Sequence, residues 1–314
     1  MIRIAVLVCA ALLLPQAARA EPPRVVADIR PVQALVARVM QGVGTPDVLI
    51  GPDVSPHHAA MRPSEARVLA DADLVFWVGA GLTPWLQKSI DTLAADARVV
   101  ALMDSEGTVR LPLRDSADFG GHDDHDHDHD HDHAPDGAGE QKAGTPTDPH
   151  GWLDPLNGKA WLDTIAASLA QADLKNAGIY AANAADGQAE IDREMSRIEA
   201  ALGDVQGVRF VVAHDAYQYF EARFGIDVAG AISLGDAAAP GPAHISRLRA
   251  ASDGAAALCI LSDPQTSPSL AGAIFDGDAA RTAEIDSMGL DIPLGSDFYT
   301  TLLGSIAKAI ASCR

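Results

Sequence analysis

Between residues 122 and 133 the chain reads HDDHDHDHDHDH, six imidazoles and six carboxylates in twelve residues with no apolar side chain among them. Such a run cannot enter a hydrophobic core, because stripping water from so many charged groups costs far more than the segment could gain by burial. It is expected to be a solvated, disordered interruption, and whatever folds must fold on either side of it. The composition also has a chemical meaning. Neutral nitrogen beside anionic oxygen is a donor set that borderline divalent ions such as zinc accept, whereas a merely acidic loop could equally carry serine or glutamate. His122, His125, His127, His129, His131 and His133 are therefore read as an auxiliary metal-attracting loop. Near-strict alternation offers many equivalent ligand sets and fixes none, so ions held there should be several, weakly bound and exchangeable.

The chain opens with Arg3, an apolar run over residues 4–14 and then Ala18-Arg19-Ala20, the small-x-small form of a secretory cleavage site. That run is too short to span a bilayer. Residues 1–20 are read as a signal peptide cleaved after Ala20, leaving an exported chain of about 294 residues, enough for two domains. No second apolar span follows, so the mature chain is expected to be soluble. Cys9 should leave with the signal. Cys259 and Cys313 remain, an even count in an oxidising compartment, and are expected to form a disulfide. Zinc ligation by these thiols is the alternative, disfavoured because neither has a neighbouring His or Cys. The formal charge is −20, and residues 115–148 hold eleven acids against one lysine, so half of it sits in and beside the His/Asp run. The remainder is mildly acidic with no basic stripe, which argues against a nucleic-acid partner.

From Arg24 onward short β-rich runs alternate with helical ones. Strands are expected at 25–29, 48–50, 74–78 and 99–102, with helices at 32–40 and from Pro63, a proline suited to a first turn. The continuous apolar run LVFWV at 74–78 is what a buried parallel strand requires. Residues 156–202 read as helical throughout, either a long helix or helix pair forming a spine between two α/β halves, or a small helical domain. The rhythm then resumes, with strands at 209–213, 226–232, 257–261 and 282–285 and helices at 217–224, 245–250 and 296–312. This βαβα pattern is the signature of an α/β fold.

Five histidines lie outside the run: His57, His58, His150, His214 and His244. His57 and His58 follow a predicted strand in SPHH, His150 lies in DPHGWLDP, and His214 follows VRFVVA. Any one alone would more often be a surface or capping residue. Three in loop or strand-end positions, where open α/β sheets place ligands, point to a shared site. His58 cannot point the same way as His57 in extended backbone and is set aside. His244, in a Pro-Gly-Pro helix start, is expected to be exposed.

The segments GPDVSPHHAAMRPSEARVLADADLVFWVGAGLTPWL, DPHGWLDPLNGKAW, FVVAHDAYQYFEARFGI and CILSDPQ, with ASCR at the end, resemble the ZnuA type of periplasmic metal-binding receptor, in the family's order and over essentially the whole mature chain. The resemblance implies two α/β lobes joined by a long rigid linking helix, with one metal in the interlobe cleft. It places an N-terminal lobe at 21–174, including the His/Asp-rich loop at about 115–148, a linking helix at 175–203 and a C-terminal lobe at 204–314. It selects His57 rather than His58, with His150 and His214, as ligands of Zn2+. Asp286, in EIDSMG, takes the C-lobe aspartate position and is the expected fourth ligand; the alternative is a turn-forming aspartate. It further implies a periplasmic monomer that hands zinc to the permease of an ABC importer, with other periplasmic zinc chaperones as further partners.

Three imidazoles with a fourth open or carboxylate position suit tetrahedral zinc, and a manganese-type receptor would place a harder carboxylate where His214 stands. A periplasmic zinc buffer is the other alternative. A hydrolytic metalloenzyme needs a base such as the glutamate of HExxH, and no histidine here has that spacing. Asp215, beside His214, is expected to cap a helix or support a ligand rather than act as a base.

Overall fold

The computed structural model describes residues 21–51, 54–114, 146–203, 205, 207–233, 241–252, 257–264 and 280–314. The signal-like segment and the 122–133 run lie outside them. Among the described residues no helix is long and apolar enough to cross a membrane.

The βαβα rhythm resolves into two four-stranded parallel sheets. The first contains β1 (Val25–Ala27), β2 (Asp47–Val48), β3 (Leu74–Trp77) and β4 (Arg98–Ala101), in the order β2-β1-β3-β4. The second contains β5 (Val208–His214), β6 (Val228–Ser233), β7 (Ala257–Ser262) and β8 (Ala280–Glu284), in the order β6-β5-β7-β8. Every pairing is parallel. A parallel sheet is covered on both faces by its crossover helices, which is why β3 is buried at all four residues and reads as an unbroken apolar word. The chain just past β1 is pinned by Asp28, whose carboxylate accepts the N–H groups of Ile29 and Val78, both at 2.8 Å.

Helices α1 (Arg30–Val39), α2 (Pro63–Ala70) and α3 (Pro84–Leu93) serve the first sheet. The sequence reading passed over α3, although Pro84 in its first turn and the buried pair Leu86 and Ile90, one turn apart, carry its signature. The helical middle is a hairpin rather than one rod, made of α4 (Pro155–Ala172) and α5 (Ala177–Leu202). The reversal sits at Asp173, where a 3-10 turn over Leu174–Asn176 is held by the Asp173 carboxylate, which accepts from Asn176 Nδ2 at 2.6 Å and the Tyr180 hydroxyl at 2.9 Å. The sequence left a long helix and a helix pair open, and the structure is the pair.

Helix α5 has 26 residues and so runs about 39 Å. The second sheet carries α6 (Gln218–Phe224) and α7 (Pro242–Ser252), and the chain ends in α8 (Phe298–Ala311). Instead of staying on the second sheet, α8 lies along α5 and reaches α1. Close approaches among these helices and their neighbours rest on glycine. A methyl group at Gly158 of α4 would run into the Tyr299 ring, and one at Gly187 of α5 would meet Leu162 at 3.0 Å and Arg38 at 3.1 Å. Arg38 on α1 adds a two-point ion pair to Glu190 of α5, at 2.8 and 3.0 Å. Cys259 on β7 is bonded to Cys313 just past α8, with Cα atoms 5.9 Å apart and both residues buried, so the last helix is tied to the second sheet.

Candidate metal centre

His57 belongs to the loop between β2 and α2. The loop is anchored by Trp85 of α3, whose indole Nε1–H donates to the Pro56 carbonyl at 2.8 Å. His150 is fixed by its own sequence neighbours. Asp148 Oδ1 accepts both the His150 backbone N–H, at 2.9 Å, and ring Nδ1, at 2.7 Å. A carboxylate only accepts, so Nδ1 carries the hydrogen and the lone pair for a metal is on Nε2. Gly151 follows because Met103 sits where a side chain would be, its Sδ in collision with any Cβ at that position. His214 is the last residue of β5, paired with Ser233 of β6, at the carboxyl end of the sheet where α/β folds collect ligands.

These three side chains converge. Ring centroids are separated by 5.3 Å for His57 and His150, 5.7 Å for His57 and His214, and 5.3 Å for His150 and His214. One nitrogen from each lies within 4.8 Å of the other two, and the Nε2 atoms of His150 and His214 are 3.5 Å apart. His150 is 5 % exposed, while His57 and His214 are half-buried, so the group is sunk but reachable. With the His150 Nε2 lone pair as acceptor, His214 Nε2 can donate to it at 3.5 Å, and a tetrahedral divalent ion with nitrogen ligands near 2.0–2.1 Å would draw on both nitrogens instead.

Buried carboxylates surround the trio. Asp148 is 1 % exposed, Asp215 5 % and Glu221 6 %. Arg114 stands between the last two, its Nη1 at 2.8 Å from Asp215 and its Nη2 at 2.6 Å from Glu221. Burial pushes the Asp215 carboxyl up from its ordinary range against the pull of Arg114. Burial likewise pushes Glu221 up to about 7, with Arg114 opposing and Asp215 and Asp148 adding to the rise. Three acids against one guanidinium leave a local negative excess that favours a dication.

The other expected residues fall elsewhere. His58 is exposed and outside the cluster. His244, which its sequence position suggested would be exposed, is not. It is half-buried, with Nε2 at 2.8 Å from the Ala231 carbonyl of β6, because its helix packs on that strand. Asp215 does not cap α6, since Tyr217 holds the capping position; its carboxylate is turned to Arg114. Asp286 lies outside the group of mutually close ligand atoms. Its Oδ1 accepts from Met288 N–H at 2.8 Å and Gly289 N–H at 2.9 Å, and its Oδ2 accepts from Leu290 N–H, so it shapes a turn.

Residues 25–313 match the family model for the zinc-uptake complex component A, periplasmic, known as ZnuA. The chain belongs to the ZnuA family. It is 43 % identical to the high-affinity zinc uptake system protein ZnuA of Paracoccus denitrificans, an alignment covering 100 % of this chain and 99 % of that one. It is 37 % identical to the protein of that name from Brucella abortus, over 92 % and 91 % of the two chains. Among solved structures, a zinc-bound ZnuA deletion mutant superposes with a TM-score of 0.74 at 19 % identity, over 93 % of this chain and 98 % of that one. The laminin-binding adhesin Lmb of Streptococcus agalactiae gives 0.72 at 19 % identity, over 92 % and 98 %. At such identities the likeness establishes the two-lobe α/β fold.

Within this ZnuA-family chain, sequence reasoning missed Asp148 and Trp85, the residues that hold His150 and the His57 loop. Asp148 had a signal, since an acid two residues before a candidate ligand is a common partner for its second ring nitrogen. Trp85 had none, because its contact is made 29 residues away in the chain.

Proposed function

We propose that this chain is a high-affinity periplasmic zinc receptor that binds one Zn2+ through His57, His150 and His214 and delivers it to the permease of an ABC importer. The observation that carries the reading is the convergence of three imidazole nitrogens within 4.8 Å of one another. An all-nitrogen set suits zinc better than manganese, which favours oxygen. The full-length relatives named as zinc uptake proteins support the same cargo. The family is one of solute-binding components, and the chain is read as non-catalytic.

Asp286 is retained as the proposed fourth ligand. Oδ1 accepts two hydrogen bonds and Oδ2 one, so a lone pair remains on Oδ2, and a small shift of its turn would present it. The 122–133 run is proposed to capture zinc loosely for the cleft. Residues 1–20 are read as a cleaved signal, residues 21–174 and 204–314 as the two lobes, and residues 175–203 as the linking helix. The mature chain is taken to act as a monomer, with periplasmic zinc chaperones as further partners. Anomalous diffraction at the zinc edge on loaded protein tests the site. A peak bounded by the three histidines is expected, and one elsewhere would overturn the assignment. Loss of zinc uptake on deletion separates a receptor from a buffer.

A further inference from the structure

Helix α6 reaches out of its own lobe towards the root of the histidine-rich run. That root consists of residues 111–114 and 146–148, joined as an antiparallel bridge between Pro112 and Thr147. Leu113 N–H donates to the Pro146 carbonyl at 2.8 Å, and Asp148 N–H donates to the Leu111 carbonyl at 2.9 Å. The Tyr219 hydroxyl accepts from Leu111 N–H at 3.0 Å and donates to the Asp148 carbonyl at 2.9 Å. With its amide nitrogen facing the acceptors, Gln218 reaches Asp148 Oδ2 at 2.8 Å and the Pro112 carbonyl at 3.2 Å. Glu221, one turn on, meets Arg114.

Arg114 closes this arrangement. Its two terminal nitrogens are divided between Asp215 and Glu221, whose side chains are 3 % and 7 % exposed. A planar guanidinium can bridge two carboxylates in fixed directions, and a lysine ammonium, a point charge on a flexible stem, cannot do the same. Asp215 adjoins His214 in sequence, and Asp148 on the same root holds His150. The bridge therefore ties the chain end that carries His214 to the root that leads through Asp148 to His150.

We propose that Arg114 is a positioning residue of the metal centre, which registers the root carrying Asp148 and His150 against His214 by bridging Asp215 and Glu221. The proposal rests on the reading of the three histidines as zinc ligands. Ligand nitrogens must meet one ion at one distance, so a slip of the root relative to β5 lengthens one bond at the expense of another. Affinity and coordination geometry are both expected to respond.

The test uses the mature full chain, with Arg114→Gln, Arg114→Lys and His150→Ala beside wild type. Zinc affinity is measured by competition with a chromogenic chelator, coordination geometry by the visible absorption of Co2+ in place of zinc, and folding by thermal melting. Arg114→Gln is expected to weaken zinc by about 10–100-fold, as loss of a ligand's supporting partner does, and to alter the cobalt bands. Arg114→Lys should recover only part of that loss. A lower melting temperature with unchanged affinity and unchanged cobalt spectrum would make the bridge a stabilising contact alone and overturn the proposal. Full recovery by Arg114→Lys would overturn it too, by showing that charge suffices. If Arg114→Gln does not fold, Arg114→Lys and Glu221→Gln decide: wild-type affinity and spectrum in both refute the role, and weakened binding in either supports it. Wild-type affinity in His150→Ala would instead defeat the reading of the site, whatever Arg114 does.

Discussion

The two sheets have the same strand order, yet their first strands end differently. β1 leads into Asp28, fully buried, with its carboxylate occupied by the backbone N–H groups of Ile29 and Val78. β5, at the matching place in the second sheet, ends in His214 and is followed by Asp215. In one lobe the carboxyl end of the leading strand is given to tying the chain past β1 to the chain past β3. In the other it brings an imidazole to the cluster with His57 and His150. Topology offers the same address twice, and the side chain placed there decides whether it serves architecture or chemistry.

The sharpest way to break this contrast is to remove the chemistry. Replacing His57, His150 or His214 by alanine should each weaken zinc by roughly 2.5–4 kcal/mol, a ligand's share of the ~10–16 kcal/mol typical of four-ligand zinc sites. Replacing His58 or His244 should cost less than about 1.4 kcal/mol, or tenfold. Competition titration measures both. Equal losses at His57 and His58 would contradict the assignment.

Asp28 tests the architectural end. Burial raises its carboxyl from 3.8 to about 7 despite two N–H donors, so the native state prefers it protonated. Its contribution to stability is therefore fully present below about 3.8 and is lost as pH rises through about 7, a change of up to ~4 kcal/mol. Denaturant unfolding of zinc-free protein across that window should show this slope reduced in Asp28→Asn. An unchanged slope would remove Asp28 as its source.

A third difference is covalent, since among the described residues only the second sheet carries a disulfide, closing a separation of 54 residues. Cys259→Ser with Cys313→Ser should lower stability by about 2–4 kcal/mol through the freer unfolded chain. The tight zinc phase should survive, because neither sulfur belongs to the group of mutually close ligand atoms. Thermal melting and titration of the double variant check the two halves of that statement.

The smallest effect on the cleft is expected from deleting residues 122–133. Its ligands lie outside the deletion, so tight binding should change little while total zinc falls to about one ion per chain. Exposed imidazoles protonate near pH 6.5, so the loose capacity of the intact chain should fade first on acidification. Calorimetric titration of both proteins at pH 7.5 and 6 reads this, and loss of the tight phase in the deletion would mean that the run supplies a primary ligand.

Much of this was legible in the residues because parallel strands announce themselves. LVFWV is apolar without alternation, VRFVVAH ends in a ligand type, and SPHH follows a short apolar strand, so the three histidines could be grouped by topology before any distance was known. What was not legible depends on contacts remote in sequence. The inward turn of His244 depends on the Ala231 carbonyl 13 residues away. The bridge from Arg114 to Asp215 and Glu221 spans 101 and 107 residues, and no local pattern encodes that meeting.

The long contact of α8 with α5 has a consequence for timing. Many binding proteins trap cargo by closing like a jaw, and their dissociation rate is the rate of a domain swing. Here two helices lie side by side, and bending one would drag its companion and the packing between them. The lower-cost way out for an ion is local: residues 54–60 form neither helix nor strand, and their lifting would withdraw His57 alone. Residence time would then be set by how seldom one short loop opens against both its Trp85 anchor and the bond from His57 to the ion. A membrane partner that needs the ion would have to displace that loop and leave the rest of the molecule standing.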